Sequence, residues 1–284
     1  MADINTLWQA RYGDGEAPKA APGAVEGAPL NPVIERILAH RSIRAYAERD
    51  VDGGLLELLL ACAQSAPAKS NLQQYSIVVV RDPARRAEIG KLVPDLSPWF
   101  ETAPVFLTFL GDVRRIRRLA EMQGRDYQND NADTFMNACV DAALVMQNFI
   151  TAAASAGRGC CAISMIRNKI DAFAEILKLS DGVFPIAGLT LGWPAWEGIA
   201  AVRLPQTITV HRETYDDSAL EAEVVAYDER AHARKAISIG GQRHKDIYGE
   251  LEKCTWSDNV TRQLSRPERA GFAAFLKSRG INLK

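Results

Sequence analysis

Apolar residues fall in short blocks, and their spacing predicts most of the elements. After Asn31-Pro32, Val33, Ile34, Ile37 and Leu38 recur at helical spacing. Asn31 suits an N-cap and Pro32 the first turn, so a helix is expected to run from there to near His40. A second helix fits residues 55–64, with Leu55, Leu58, Leu59 and Cys62 on one side. The runs at 75–80 and 105–110 are apolar and rich in β-branched or aromatic residues, the signature of strands. Residues 134–156 are apolar nearly all round and stop at Gly157, so they predict a long helix buried in a core or between subunits. Further buried strands fit 160–163 and 185–191, with a helix over 171–179 between them, and later helical patterns cover 219–235 and 267–279. Helices do not alternate strictly with strands, which predicts an α+β fold with a small sheet and not a doubly wound one.

Composition narrows the class. With 47% hydrophobic and 24% charged residues in 284, the chain can bury a sizeable core. A formal net charge of −1 gives no global field for nucleic acid or an anionic membrane. Residues 1–30 are rich in Ala, Gly, Pro and Glu and are expected as a flexible N-terminal arm, followed by one domain over 31–284. The start carries no basic segment followed by an apolar run, so no signal peptide is expected. Asn137, Asp141, Gln147 and Asn148 interrupt the apolar stretch and argue against a bilayer span. Five cysteines without Cys-x-x-Cys spacing fit a reducing compartment, hence the cytoplasm. The four histidines form no ligand pattern, so no metal is expected.

Several motifs read as structure. Gly157-Arg-Gly159 follows a helix and precedes a strand, the reverse of a dinucleotide fingerprint, and reads as a helix stop. Cys160-Cys161 lies in an apolar run and reads as core, and the arginines at 114–118 read as a solvated helix face rather than a phosphate site. By contrast, His40-Arg41-Ser42-Ile43-Arg44 puts two guanidiniums, a hydroxyl and an imidazole directly after a helix. An arginine fork matches phosphate geometry, and a second arginine nearby can serve another anionic group of the same ligand. The polar turn Pro67-Ala-Lys-Ser-Asn-Leu-Gln73 leads into a strand, and Gly188-Leu-Thr-Leu-Gly-Trp-Pro194 runs from a buried strand into a turn.

These segments, with Ile166-Arg-Asn-Lys-Ile170, Arg203-Leu-Pro205 and Thr255-Trp-Ser-Asp258, together resemble the nitroreductase family over about residues 31–284. The resemblance is greatest to its branch of oxygen-insensitive, NADPH-using enzymes. It implies a small mixed or antiparallel sheet flanked by helices, in an intertwined homodimer with two FMN sites at the interface. It also implies ping-pong transfer of electron pairs from NADPH or NADH to a nitro-aromatic, quinone or similar small aromatic acceptor. Carried over by position, Arg41 and Ser42 bind the FMN phosphate and ribityl chain, Arg203 matches a second phosphate ligand, His40 is a further cofactor-binding residue, and Arg44 lies near flavin N1 and O2. Pro67, Ala68 and Asn71 of the partner subunit touch the same flavin, and Ile163, Ser164 and Met165 cover the ring near N5. The flavin carries the redox chemistry, so no catalytic side chain is expected.

The chain departs from the family pattern in three places. Ala162-Ile163-Ser164-Met165 replaces a Tyr-Ile-Gly-Gly, Ala201 stands where a lysine commonly precedes the phosphate arginine by two, and 238–244 offers only Arg243 and His244 for a nucleotide phosphate. Two other readings are open: a flavin reductase that supplies reduced FMN, and a non-enzymatic flavin-binding redox sensor.

Overall fold

A computed structural model describes residues 4–13 and 32–284. The described residues form two compact units. One holds the residues up to Arg41 together with Ile199–Glu268, and the other holds Ser42–Gly198 with Arg269–Lys284.

The second unit is built on four antiparallel strands, β1 (Tyr75–Val80), β2 (Val105–Asp112), β3 (Gly159–Ile163) and β4 (Val183–Gly192), in the order β1-β2-β4-β3. Every residue of β2 is buried and β4 is nearly so, because helices cover both faces. That is why these strands read as continuous apolar runs and not as alternation. On one face the helices Gly53–Gln64 and Ala132–Ser155 close a core of Leu56, Leu59, Val145 and Phe149 over Leu107, Phe109, Leu189 and Leu191. On the other, Phe100, Phe106, Ile166 and Phe173 pack together, with Phe106 edge-on to both Phe100 and Phe173.

The 24-residue helix Ala132–Ser155 is long and apolar enough by composition to cross a membrane. One face, however, carries Ala138, Asp141, Ala142, Val145, Phe149 and Ala153 into the unit, which makes it a core helix. Its outer side shows Met136, Val140 and Leu144, exposed at intervals of four. Asn131 caps its start by accepting from Thr134 N–H at 3.1 Å, and Gly157, at φ 72°, ends it as its sequence position predicts.

In the first unit, the helix Ile4–Tyr12 packs on Pro32–Leu38, and Leu220–Arg234 packs on Trp256–Leu264. Buried Asp228 accepts hydrogen bonds from the Ser257 backbone N–H, at 3.0 Å, and from the Ser257 hydroxyl. Thr255 and Asp258 form a reciprocal capping box. The helix at 4–12 lies in the segment expected as a flexible lead. Residues 1–3 and 14–31, which include the rest of that segment and Asn31, fall outside the described residues.

Candidate active site

Along the chain the arginine motif is divided between the two units after Arg41, and each half has its own setting. In the first unit, Arg11 of the helix Ile4–Tyr12 is buried. Its guanidinium donates to Leu38 O at 2.7 and 3.2 Å, to His40 O at 2.6 Å and to Ala201 O at 2.8 Å. Arg203 N–H donates to Arg11 O at 2.7 Å, and the Tyr227 hydroxyl donates to Val202 O at 3.3 Å. These bonds fix the segments carrying Arg41 and Arg203, which are remote in sequence. Arg41 and Arg203 both stand near enough to Arg11 to lower its pKa, behind the larger effect of burial. Burial, then Arg11 and Arg203, likewise lowers the pKa of His40. The chemistry of this set, three guanidiniums and an imidazole, suits a terminal phosphate.

In the second unit, Ile43 and Tyr46 face the sheet while Ser42 and Arg44 face solvent. Ile43 N–H donates to Cys160 O at 2.9 Å, and the Tyr46 hydroxyl bonds Ile43 O and Thr190 Oγ1, each at 2.7 Å. The segment can lie this close only because the facing pair Gly159 and Gly192 have no side chains. A Cβ on Gly159 would come within 2.7 Å of Ile43, and one on Gly192 within 2.7 Å of Tyr46. Arg44 reaches the Cys161 thiol, whose pKa burial raises and Arg44 pulls back down. At the far end of β3, Ser164 Oγ accepts from Arg269 at 3.3 Å, and Arg269 also donates to Asn168 Oδ1 at 2.9 Å. Ile163 is buried, Met165 half-buried and Ser164 exposed.

The turn with Pro67, Ala68 and Asn71 lies at the other edge of the sheet. It enters β1, whereas Arg44 and Ile163 lie along β3. Three strand spacings separate those edges, roughly 14 Å. The structure therefore groups Ser42, Arg44, Ile163, Ser164 and Met165 around β3 but does not bring the 67–71 turn to them within one chain.

That turn holds three non-glycine residues at positive φ, Ser70 (49°), Asn71 (56°) and Gln73 (51°). The fully buried carboxylate of Asp141, on the long core helix, accepts from Lys69 N–H and Gln74 N–H, both at 3.0 Å. From the other side Arg115 donates to Gln73 O at 2.7 Å and Tyr75 O at 3.0 Å. In the sequence Asp141 stands out only as an interruption of an apolar run, and Arg115 belongs to a run of arginines that reads as a solvated face. The signal for Asp141 was there: a carboxylate on the core face of a helix has to bind something. Trp193 ends its motif with Arg49 and Arg158 stacked on its ring, at 3.4 and 3.2 Å from the centroid. Cys160 and Cys161 are buried, as core packing requires.

The nitroreductase family pattern matches residues 37–193, and the family's C-terminal domain pattern matches 202–284. Among relatives, an FMN reductase (NADPH) of Bacillus subtilis (strain 168) is 33% identical, over 89% of this chain and 99% of its own. An oxygen-insensitive NADPH nitroreductase of Salmonella typhimurium is 32% identical, over 88% of this chain and 98% of its own. Among solved structures, the NADPH:FMN oxidoreductase from Vibrio harveyi complexed with NAD+ superposes with a TM-score of 0.77 at 28% identity, covering 88% of this chain and 98% of that one. The four-stranded antiparallel sheet, the arginine motif and these matches agree: the chain belongs to the nitroreductase family.

Proposed function

We propose that this protein is an FMN-dependent NAD(P)H oxidoreductase that passes electron pairs to nitro-aromatics, quinones or similar acceptors, working as a homodimer in the cytoplasm. The observation that carries the FMN assignment is the gathering of Arg41 and Arg203 beside Arg11, a cluster suited to one terminal phosphate. Relatives named as FMN reductases and NADPH nitroreductases support the same reading.

Bound FMN supplies the redox chemistry, accepting an electron pair from NADPH or NADH and yielding it to the acceptor. The chain's residues bind and orient it. Arg41 and Arg203, with His40 and Ser42, take the phosphate and ribityl chain. Arg44 is the cation for the N1/O2 edge of the ring, where it favours negative charge. Pro67, Ala68 and Asn71 serve the flavin of the partner subunit, because their turn sits on the opposite sheet edge from Arg44. Ile163, Ser164 and Met165 border the ring near N5. Ser164 accepts from Arg269 at this edge. The exposed stripe Met136, Val140 and Leu144 supports a subunit interface along the long helix. Five free cysteines support a reducing compartment.

Steady-state kinetics with both substrates varied tests this reading. Parallel double-reciprocal lines are expected for nicotinamide and nitro-aromatic sharing one site in turn. Intersecting lines, or turnover without FMN, would overturn it. FMN that leaves the protein in each cycle would mark a flavin reductase instead.

A further inference from the structure

Arg11 lies outside the family match, which begins at residue 37. Yet its side chain grips three backbone carbonyls, two on the segment leading into Arg41 and one at Ala201, on the segment leading into Arg203. Its own carbonyl takes the Arg203 N–H. Arg203 Nη1 donates to the same Ala201 oxygen at 3.3 Å, so two guanidiniums meet on one acceptor. Like charges held this close repel, and a bound anion offsets the repulsion. The side chain at 201 is only a methyl.

We propose that Arg11 is a positioning residue for the FMN phosphate, setting Arg41 and Arg203 around it and supplying the positive charge that Ala201 does not. The inference rests on the FMN reading above. Arg11 has one guanidinium N–H beyond the four bonds it makes, and its charge acts on the phosphate through that edge and through space. The helix Ile4–Tyr12 thereby presents one arginine to two segments that meet nowhere else in sequence.

The test compares FMN with riboflavin, which is the same flavin without its phosphate. Apoprotein of the full chain, with Arg11→Gln and Arg11→Lys variants, is titrated with each flavin by fluorescence quenching. The wild type should prefer FMN. Arg11→Gln should lose about tenfold or more in FMN affinity while riboflavin affinity moves by less than about twofold. Arg11→Lys keeps the charge but replaces four bonds from a planar fork with at most three from a single nitrogen, and should fall between. If Arg11→Gln does not fold, the lysine variant carries the same comparison. Equal losses for both flavins would reduce Arg11 to a folding residue, and an unchanged preference in the folded variants would also overturn the proposal. A wild type that binds neither flavin would instead remove the FMN reading itself.

Discussion

Replacing Asp141 by Asn tests whether a buried carboxylate holds the 67–74 turn in shape. The turn keeps Ser70, Asn71 and Gln73 at positive φ, which costs a non-glycine residue roughly 1–2 kcal/mol each, or about 3–6 kcal/mol in all. Asp141 offsets this with two bonds to backbone N–H groups at 3.0 Å. Hydrogen bonds to a charged group contribute about 1.5–3 kcal/mol each, a similar sum. Asn keeps the shape and one acceptor oxygen, but its NH2 faces the second backbone N–H. One bond is lost and a donor is left unsatisfied, so Asp141→Asn should destabilise the fold by about 2–4 kcal/mol. Denaturant unfolding of the apoprotein at unchanged m-value measures this. Hydrogen exchange at Lys69 or Gln74 should rise in parallel, at whichever N–H faces the new NH2. A loss below about 0.5 kcal/mol, with both Lys69 and Gln74 still protected, would show that the turn holds itself without the carboxylate.

Arg41→Ala should weaken FMN binding by about 1.5–3 kcal/mol with little change in turnover per bound flavin, because a phosphate contact is the same before and after reduction. Arg44→Ala should instead lower the flavin midpoint potential and slow reduction by NAD(P)H at saturating FMN; stopped-flow reduction that stays normal in the bound fraction would remove Arg44 from the ring. His40 has its pKa lowered by burial, then by Arg11 and Arg203, so the unfolded chain takes up its proton first as pH falls through about 6.5. Apoprotein stability should therefore drop on acidification below that value more steeply in the wild type than in His40→Gln. Parallel melting curves for the two across that window would contradict it. Leu144→Glu, on the exposed stripe of the long helix, should weaken self-association at least about a hundredfold by sedimentation; a dimer that resists it would move the interface elsewhere.

The sheet was largely legible in the sequence because its strands are buried on both faces. Tyr75–Val80 appears with the bounds its β-branched run predicts, and β2, β3 and β4 differ by one or two residues at their ends. Helix ends were less legible where the backbone turns left-handed without glycine. Lys178, at φ 53°, follows a helix that stops at Ile176 and not at 179, and Arg269, at φ 55°, delays the last helix to Phe272. The helix Ile4–Tyr12 was invisible because nine residues without an acidic first turn do not hold a helix alone. Its order comes from buried Leu7 and from Arg11 on three distant carbonyls. The same limit hid the supports of the candidate site. Arg41, Arg44 and Arg203 stand out by motif, whereas Asp141 and Arg115 act on backbone groups, which leave no pattern in side-chain types.

The most direct measurement is an anaerobic one on the purified full chain. The protein should show flavin absorption bands, release FMN and not FAD on denaturation, and bleach on addition of one equivalent of NADPH or NADH. A nitro-aromatic or quinone should then restore the bands. A protein that stays colourless and takes up no FMN, or whose flavin neither nicotinamide nucleotide bleaches, would contradict the account.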